Sequence, residues 1–88
     1  MRKTKLWEGD DKLKKYDYSK LKGRIKEYYG TQKNFADSLG ISEASVNYKL
    51  NNKCKWDQDE IYLVINRLNI TSLSEFIEIF FTEKVEKN

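Results

Sequence analysis

Apolar residues along this chain recur every three or four positions, the spacing of a helix face rather than of a strand. Five such stretches can be marked. In "DYSKLKGRIKEYYG" Leu21, Ile25 and Tyr28 share a face, Asp17 or Ser19 can cap its start and Gly30 stops it. Gly23 inside that helix costs about 1 kcal/mol relative to alanine, and close approach of a second helix would explain it. Thr31 caps a second helix with Phe35, Ala36 and Leu39 inward, closed by Gly40. After Ile41, Ser42 caps a third, with Val46 and Leu50 inward, and "NNKCKW" (51–56) follows as a polar loop. "DQDE" (57–60) is a carboxylate variant of the capping box, leading into Ile61, Val64, Ile65 and Leu68. "SLSE" (72–75) is the capping box itself and opens a fifth helix carrying Leu73, Phe76, Ile77 and Phe80.

The expected fold is therefore all-α: a compact domain of five short helices, with room for a short strand at the C-terminal end. Residues 1–15 lack a helical period and contain Gly9-Asp10-Asp11, so they read as a flexible basic arm. Residues 16–88 form the domain proper, ending in a dimerisation segment.

Composition narrows the function classes. The chain has no histidine and one cysteine, Cys54, which removes the commonest general base and leaves too few ligands for a structural zinc site. No pair of acids sits among apolar residues where a shifted pKa would be expected. The expectation is a protein that is not an enzyme, without cofactor or metal. No apolar run approaches the roughly 20 residues of a membrane span. A lone cysteine and an N-terminus without an apolar leader point to the cytoplasm.

Charge is unevenly placed. Residues 1–56 carry 14 Lys/Arg against 7 Asp/Glu, and residues 57–88 carry 3 against 7. A basic front and an acidic back would orient the molecule in the field of a polyanion.

The second and third helices, "TQKNFADSLGISEASVNYKL", have the layout of a DNA-binding helix-turn-helix. Ala36 is small where the helices would cross, Gly40 suits a left-handed turn, and Ile41 and Val46 plug the angle between them. Projection at about 100° per residue turns Tyr48 away from the core, with Ala44, Ser45 and Asn51 beside it and Asn47 and Lys49 at the shoulders. Asn can pair with adenine, Ala and Tyr can touch a thymine methyl, and Ser is versatile. Glu43, Ala44, Ser45, Asn47 and Tyr48 are thus the candidate base-reading residues, although the projection sets Glu43 nearer the core side. Gln32, Lys33, Ser42, Lys49, Asn51, Asn52, Lys53 and Lys55 are the candidate phosphate contacts around them. The plain alternative is an exposed helix in an all-α domain.

Residues 16–87 further resemble the small Cro repressors of bacteriophages and prophages of Gram-positive bacteria, within the wider lambda-repressor-like helix-turn-helix group. The resemblance rests on "YDYSKLKGRIKEYYGTQKNFADSLGIS", on "KLNNK" followed by W-x-QDEI, and on "FFTEKV". It implies a lambda-repressor-like fold and sequence-specific operator binding by the third helix, in a switch between lytic and lysogenic transcription. By position, Gln32 resembles a glutamine that braces the DNA backbone. Glu43 and Ala44 take the first reading positions, Asn47 and Tyr48 the later ones, and Asn51 a phosphate contact. Two positions depart from the pattern: Glu43 is acidic where many relatives have glutamine or serine, and Lys49 replaces an apolar residue.

Phe76, Ile77 and Phe80 are expected to close the core, and Trp56 to anchor it. Phe81 and Val85 are harder to bury within one chain and are candidates for a two-fold dimer, since half-sites one helical turn apart call for one. The expected partners are double-stranded operator DNA and a second copy, with no membrane and no small-molecule ligand. The alternative is a protein-binding adaptor or anti-repressor that uses the apolar C-terminal surface. An antitoxin is a third reading, but the short acidic end offers no separate toxin-binding tail.

Overall fold

The computed structural model describes residues 15–84. Among them are five helices: α1 (Ser19–Tyr29), α2 (Gln32–Leu39), α3 (Glu43–Leu50), α4 (Gln58–Arg67) and α5 (Leu73–Phe81). The all-α expectation holds. The arm expected over 1–15 lies outside the described residues except for Lys15, which belongs to the fold.

Local chemistry explains where each helix starts. Thr31, Ser42, Asp57 and Ser72 each accept, through the side chain, a backbone N–H three residues on. Asp57 and Glu60 complete a reciprocal capping box. In "SLSE" only the serine half forms. Glu75 turns instead to the Thr71 N–H and to the guanidinium of Arg24. At α1 the capping role is displaced: Tyr18 precedes the helix without a side-chain cap, and Asp17 accepts from both the backbone N–H and the hydroxyl of Ser19. These two bonds, the hydroxyl's first, hold the Asp17 carboxyl below the usual carboxylate range.

Gly40 closes α2 in the left-handed region (φ 76°), where a side chain would be strained. Its N–H and that of Ile41 return to the carbonyls of Asp37 and Ala36, so α2 ends and α3 begins within three residues. Gly23 has no such reason. A Cβ there would meet nothing within 4 Å, so the close helix approach expected of it does not occur.

The core gathers Leu21, Ile25, Phe35, Ala36, Leu39, Val46, Leu50, Val64 and Leu68, and is extended by Tyr18, Trp56, Ile70, Ile79 and Phe80. Two residues expected to face inward, Tyr28 and Ile77, are exposed instead. On α1 the inward line continues to half-buried Tyr29, whose ring meets Phe35, while Tyr28 turns out beside the Arg24 guanidinium. On α5 the inward line is Phe76, Ile79 and Phe80. Ile77 stands about 100° round from Phe76 and shares the outer side with Leu73. Both are exposed.

Polar ties join the elements. Arg24 binds the Leu68 carbonyl at 2.7 Å and Glu75, linking α1 to the end of α4 and the start of α5. Lys49, buried at the end of α3, pairs with Glu60 of α4 at 3.3 Å and donates to the Lys55 carbonyl. The expected C-terminal strand forms as a single antiparallel bridge, Tyr16 to Glu83, within the chain. Asp17 donates to Thr82 and Lys84 donates to Lys15.

Two outcomes follow from these ties. Glu60→Ala leaves the Lys49 ammonium buried without a counter-charge, with only the Lys55 carbonyl and the Cys54 thiol beside it, so urea unfolding should show a loss of about 3 kcal/mol. Lys49→Met keeps the apolar stem and should cost clearly less; the reverse order would refute the staple. Asp17 has a lowered folded-state pKa, so its contribution is present above its unfolded value, near 3.8, and is lost as pH falls through the folded value. The Ser19 amide resonance should therefore hold its bonded position at pH 5 and move only below the ordinary carboxylate range.

Candidate functional site

The outer face of α3 is short and polar. Glu43, Ala44, Asn47 and Tyr48 are exposed together, while Val46 and Leu50 point inward. Ser45 is half-buried and tied to the cap: its N–H and hydroxyl both meet the Ser42 hydroxyl, at 3.1 and 3.0 Å. Glu43 is exposed rather than turned toward the core, and a carboxylate in the first turn is favoured there by the helix dipole. Asn51 caps the other end and donates its amide to the Asn47 carbonyl at 2.9 Å and to Asn47 Oδ1 at 3.2 Å. Four of the five candidate base-reading residues thus share one open surface.

The candidate phosphate contacts separate into two groups. Gln32, Lys33, Asn51, Lys53 and Lys55 lie at the surface or partly so, with Lys33 paired to Asp37 at 3.3 Å. Ser42 caps α3. Lys49 and Asn52 have internal partners instead. Lys49 is held between Glu60, the Lys55 carbonyl and the Cys54 thiol, so its ammonium faces away from any approaching phosphate. Asn52, in the left-handed region at φ 63°, accepts the Tyr16 N–H and donates to the Tyr16 carbonyl, both at 2.9 Å. Its side-chain amide occupies the place that a neighbouring strand would take. With the Lys49 ammonium turned inward and Glu43 turned outward, this face is less basic than its sequence suggests.

A second surface lies at the acidic end. Leu73, Ile77 and Phe81, one helical turn apart on α5, are 72%, 48% and 46% exposed. Glu78 borders them and pairs with Lys20 at 3.4 Å. Phe81 is held at its inner edge by Tyr16 and Phe76, in edge-to-face contacts of 5.9 and 5.5 Å. Val85, named with Phe81 as a dimer residue, lies outside the described residues. Of the three, Ile77 was expected in the core, and Leu73 was placed only on the same helix. Their spacing of four with Phe81 is the signal that could have set the three apart.

Between the two surfaces sits an aromatic cluster that sequence reasoning did not assemble, built from Tyr16 and Tyr18 with Trp56 and Phe80. Burial pushes the Tyr18 hydroxyl above its ordinary pKa, and Tyr16 adds to this. The Trp56 indole N–H nearby opposes it weakly, without the alignment of a hydrogen bond.

Among the described residues no group of His, Cys, Asp or Glu is placed to hold a metal ion, and no helix is long and apolar enough to cross a membrane.

A family described as "Protein of unknown function (DUF739)" matches residues 14–83. The chain belongs to the DUF739 family. A solved structure similar to it is the solution structure of the modulator of repression (MOR) of the temperate bacteriophage TP901-1 from Lactococcus lactis. The two are 44% identical, with a TM-score of 0.66 over 81% of this chain and 95% of that one. No curated protein matches. The kinship with phage regulators expected from residues 16–87 stands, but the relative found is a modulator of repression and not a Cro repressor.

Within this DUF739 chain, the role of Asn52 can be checked. Asn52→Gly tolerates the left-handed backbone but loses both amide bonds, and should cost about 1 kcal/mol. Asn52→Ala adds backbone strain and should cost about 2 kcal/mol or more in denaturant unfolding. Equal stability of all three proteins would show that the amide clamp does not hold the N-terminal segment.

Proposed function

We propose that this protein is a non-enzymatic regulator of a phage or prophage switch that acts by holding a repressor protein against the apolar outer side of α5. The carrying observation is the stripe Leu73, Ile77 and Phe81, three large apolar side chains exposed along one helix while the core beneath is filled by Phe76, Ile79 and Phe80. A small domain does not gain stability from such a stripe, and a contiguous apolar patch with a charged border fits a protein partner. The 44%-identical relative, a modulator of repression, supports a repressor as that partner.

Operator binding by α3 is the second reading, in the cytoplasm of the bacterial host. What favours it is the joint exposure of Ala44, Asn47 and Tyr48 beyond a tight left-handed turn. Lambda-repressor-like docking in the major groove and a two-fold dimer through Phe81 and Val85 belong to this reading. Exposed Glu43 and inward Lys49 weigh against it as the main activity, because the face then offers fewer cations to neutralise phosphate.

The two readings respond differently to salt and substitution. Titration calorimetry with the repressor of the same phage switch should show binding that changes little between low and physiological salt. The double variant Leu73→Ser/Ile77→Ser should weaken it by about tenfold or more, with its thermal unfolding unchanged. Asn47→Ala/Tyr48→Ala should leave it intact. Operator binding would instead fall steeply with salt through counterion release. Loss of regulation with Asn47→Ala/Tyr48→Ala but not with the stripe variant would overturn the adaptor reading in favour of DNA.

A further inference from the structure

A cavity of about 360 Å³ opens between the α3–α4 loop and the end of α5. Its walls are Tyr16, Trp56, Phe80 and Phe81, with Ile61 at the base. Its rim carries Lys53, Cys54 and Lys55. This volume lies within the range of about 300–1,000 Å³ that holds small organic ligands, and an apolar lining with a few polar groups is the usual composition of such sites.

Three features describe what would fit. The walls are mostly ring faces and edges, with Trp56 and Phe80 crossing at 87° and 6.0 Å between centroids. A flat ring or a branched apolar body matches them better than a long polar chain. The rim offers two exposed ammonium groups, Lys53 and Lys55, which favour an anion at the mouth. The third feature is Trp56, nine-tenths buried, whose ring lines the cavity while its indole N–H is closed off inside the protein beside Tyr18.

We infer that this cavity is a binding site for a small amphipathic organic anion, an aromatic or branched apolar body bearing a carboxylate. The body would lie among Tyr16, Trp56, Phe80 and Phe81. The carboxylate would sit between the rim lysines. The site differs from the stripe proposed for the protein partner, with which it shares only Phe81, and it departs from the expectation that no small molecule binds. Its walls come from the N-terminal segment, the loop after α3 and the end of α5, so an occupant would bridge these three parts of the chain.

Phenylacetate is a suitable probe and phenylacetamide its neutral control. In ¹⁵N-resolved spectra of the full chain the two tryptophans, Trp7 and Trp56, each give an indole N–H signal, and Trp56→Phe identifies which is which. Phenylacetate should shift the Trp56 signal saturably at millimolar concentration or below, leave Trp7 in place, and slow alkylation of Cys54. Phenylacetamide should bind more weakly, by about two- to fivefold, and Lys53→Gln/Lys55→Gln, which touches only exposed side chains, should weaken phenylacetate by a similar factor. No saturable shift of Trp56 up to about 20 mM overturns the site. Equal binding of acid and amide, unchanged in the lysine variant, overturns its assignment to an anion.

Discussion

One ion pair fixes the join between α3 and α4 and the loop that links them: Lys49 of α3 with Glu60 of α4, drawn in together at 3.3 Å. The loop between them, "NNKCKW", packs into the core only through Trp56 at its end, so the rest of its path is set by polar anchors. Glu60 has two tasks at once. It accepts the Asp57 N–H to complete the capping box of α4 and receives the Lys49 ammonium from the helix before. Lys49 in turn holds the Lys55 carbonyl. The end of one helix, the start of the next and the strand of loop between them are therefore positioned together. Charges drawn from water need such multiple partnering, since an isolated pair barely recovers its desolvation cost.

The same economy recurs at the edges of the domain. A chain of this length buries a limited core, and side-chain bonds across elements supply order where apolar area runs short. Arg24 serves three elements, through the Leu68 carbonyl and Glu75. Asn52 substitutes for a missing strand beside Tyr16, across 36 positions of sequence. Each tie has a functional shadow, because it removes from the surface a group that could otherwise meet a ligand. The face of α3 shows this most clearly. It keeps its short polar side chains exposed while the lysine at its end is drawn inside.

Much of this was legible in the sequence. Helix starts are written in local code, and Thr31, Ser42, Asp57 and Ser72 all cap where their spacing to the following residues indicates. The turn at Gly40 and the burial of Phe35, Ala36, Val46 and Leu50 were equally local matters of period and conformation. The fate of Lys49 and Asn52 was not legible, since their partners lie on other elements and nothing in their own neighbourhood names Glu60 or Tyr16. The phase of α5 failed for a related reason. Leu73, Phe76, Ile77, Ile79, Phe80 and Phe81 make the helix apolar on more than one side, and periodicity alone cannot say which side meets the core. The two surfaces of the candidate site divide along this line: the exposed polar face of α3 follows from the sequence, and the stripe on α5 emerges only from packing.

The bridge between Tyr16 and Glu83 brings the two ends of the described fold side by side, running in opposite directions. Tension applied through the two ends would load its hydrogen bonds, Lys84 to Lys15 and then Asp17 to Thr82, one after another rather than all at once. Such a clasp opens like a zip, at low force. Tyr16 would leave Phe81 only once its two bonds to Asn52 had also given way, so the clasp is locked from the α3–α4 loop as well as from the C-terminal end.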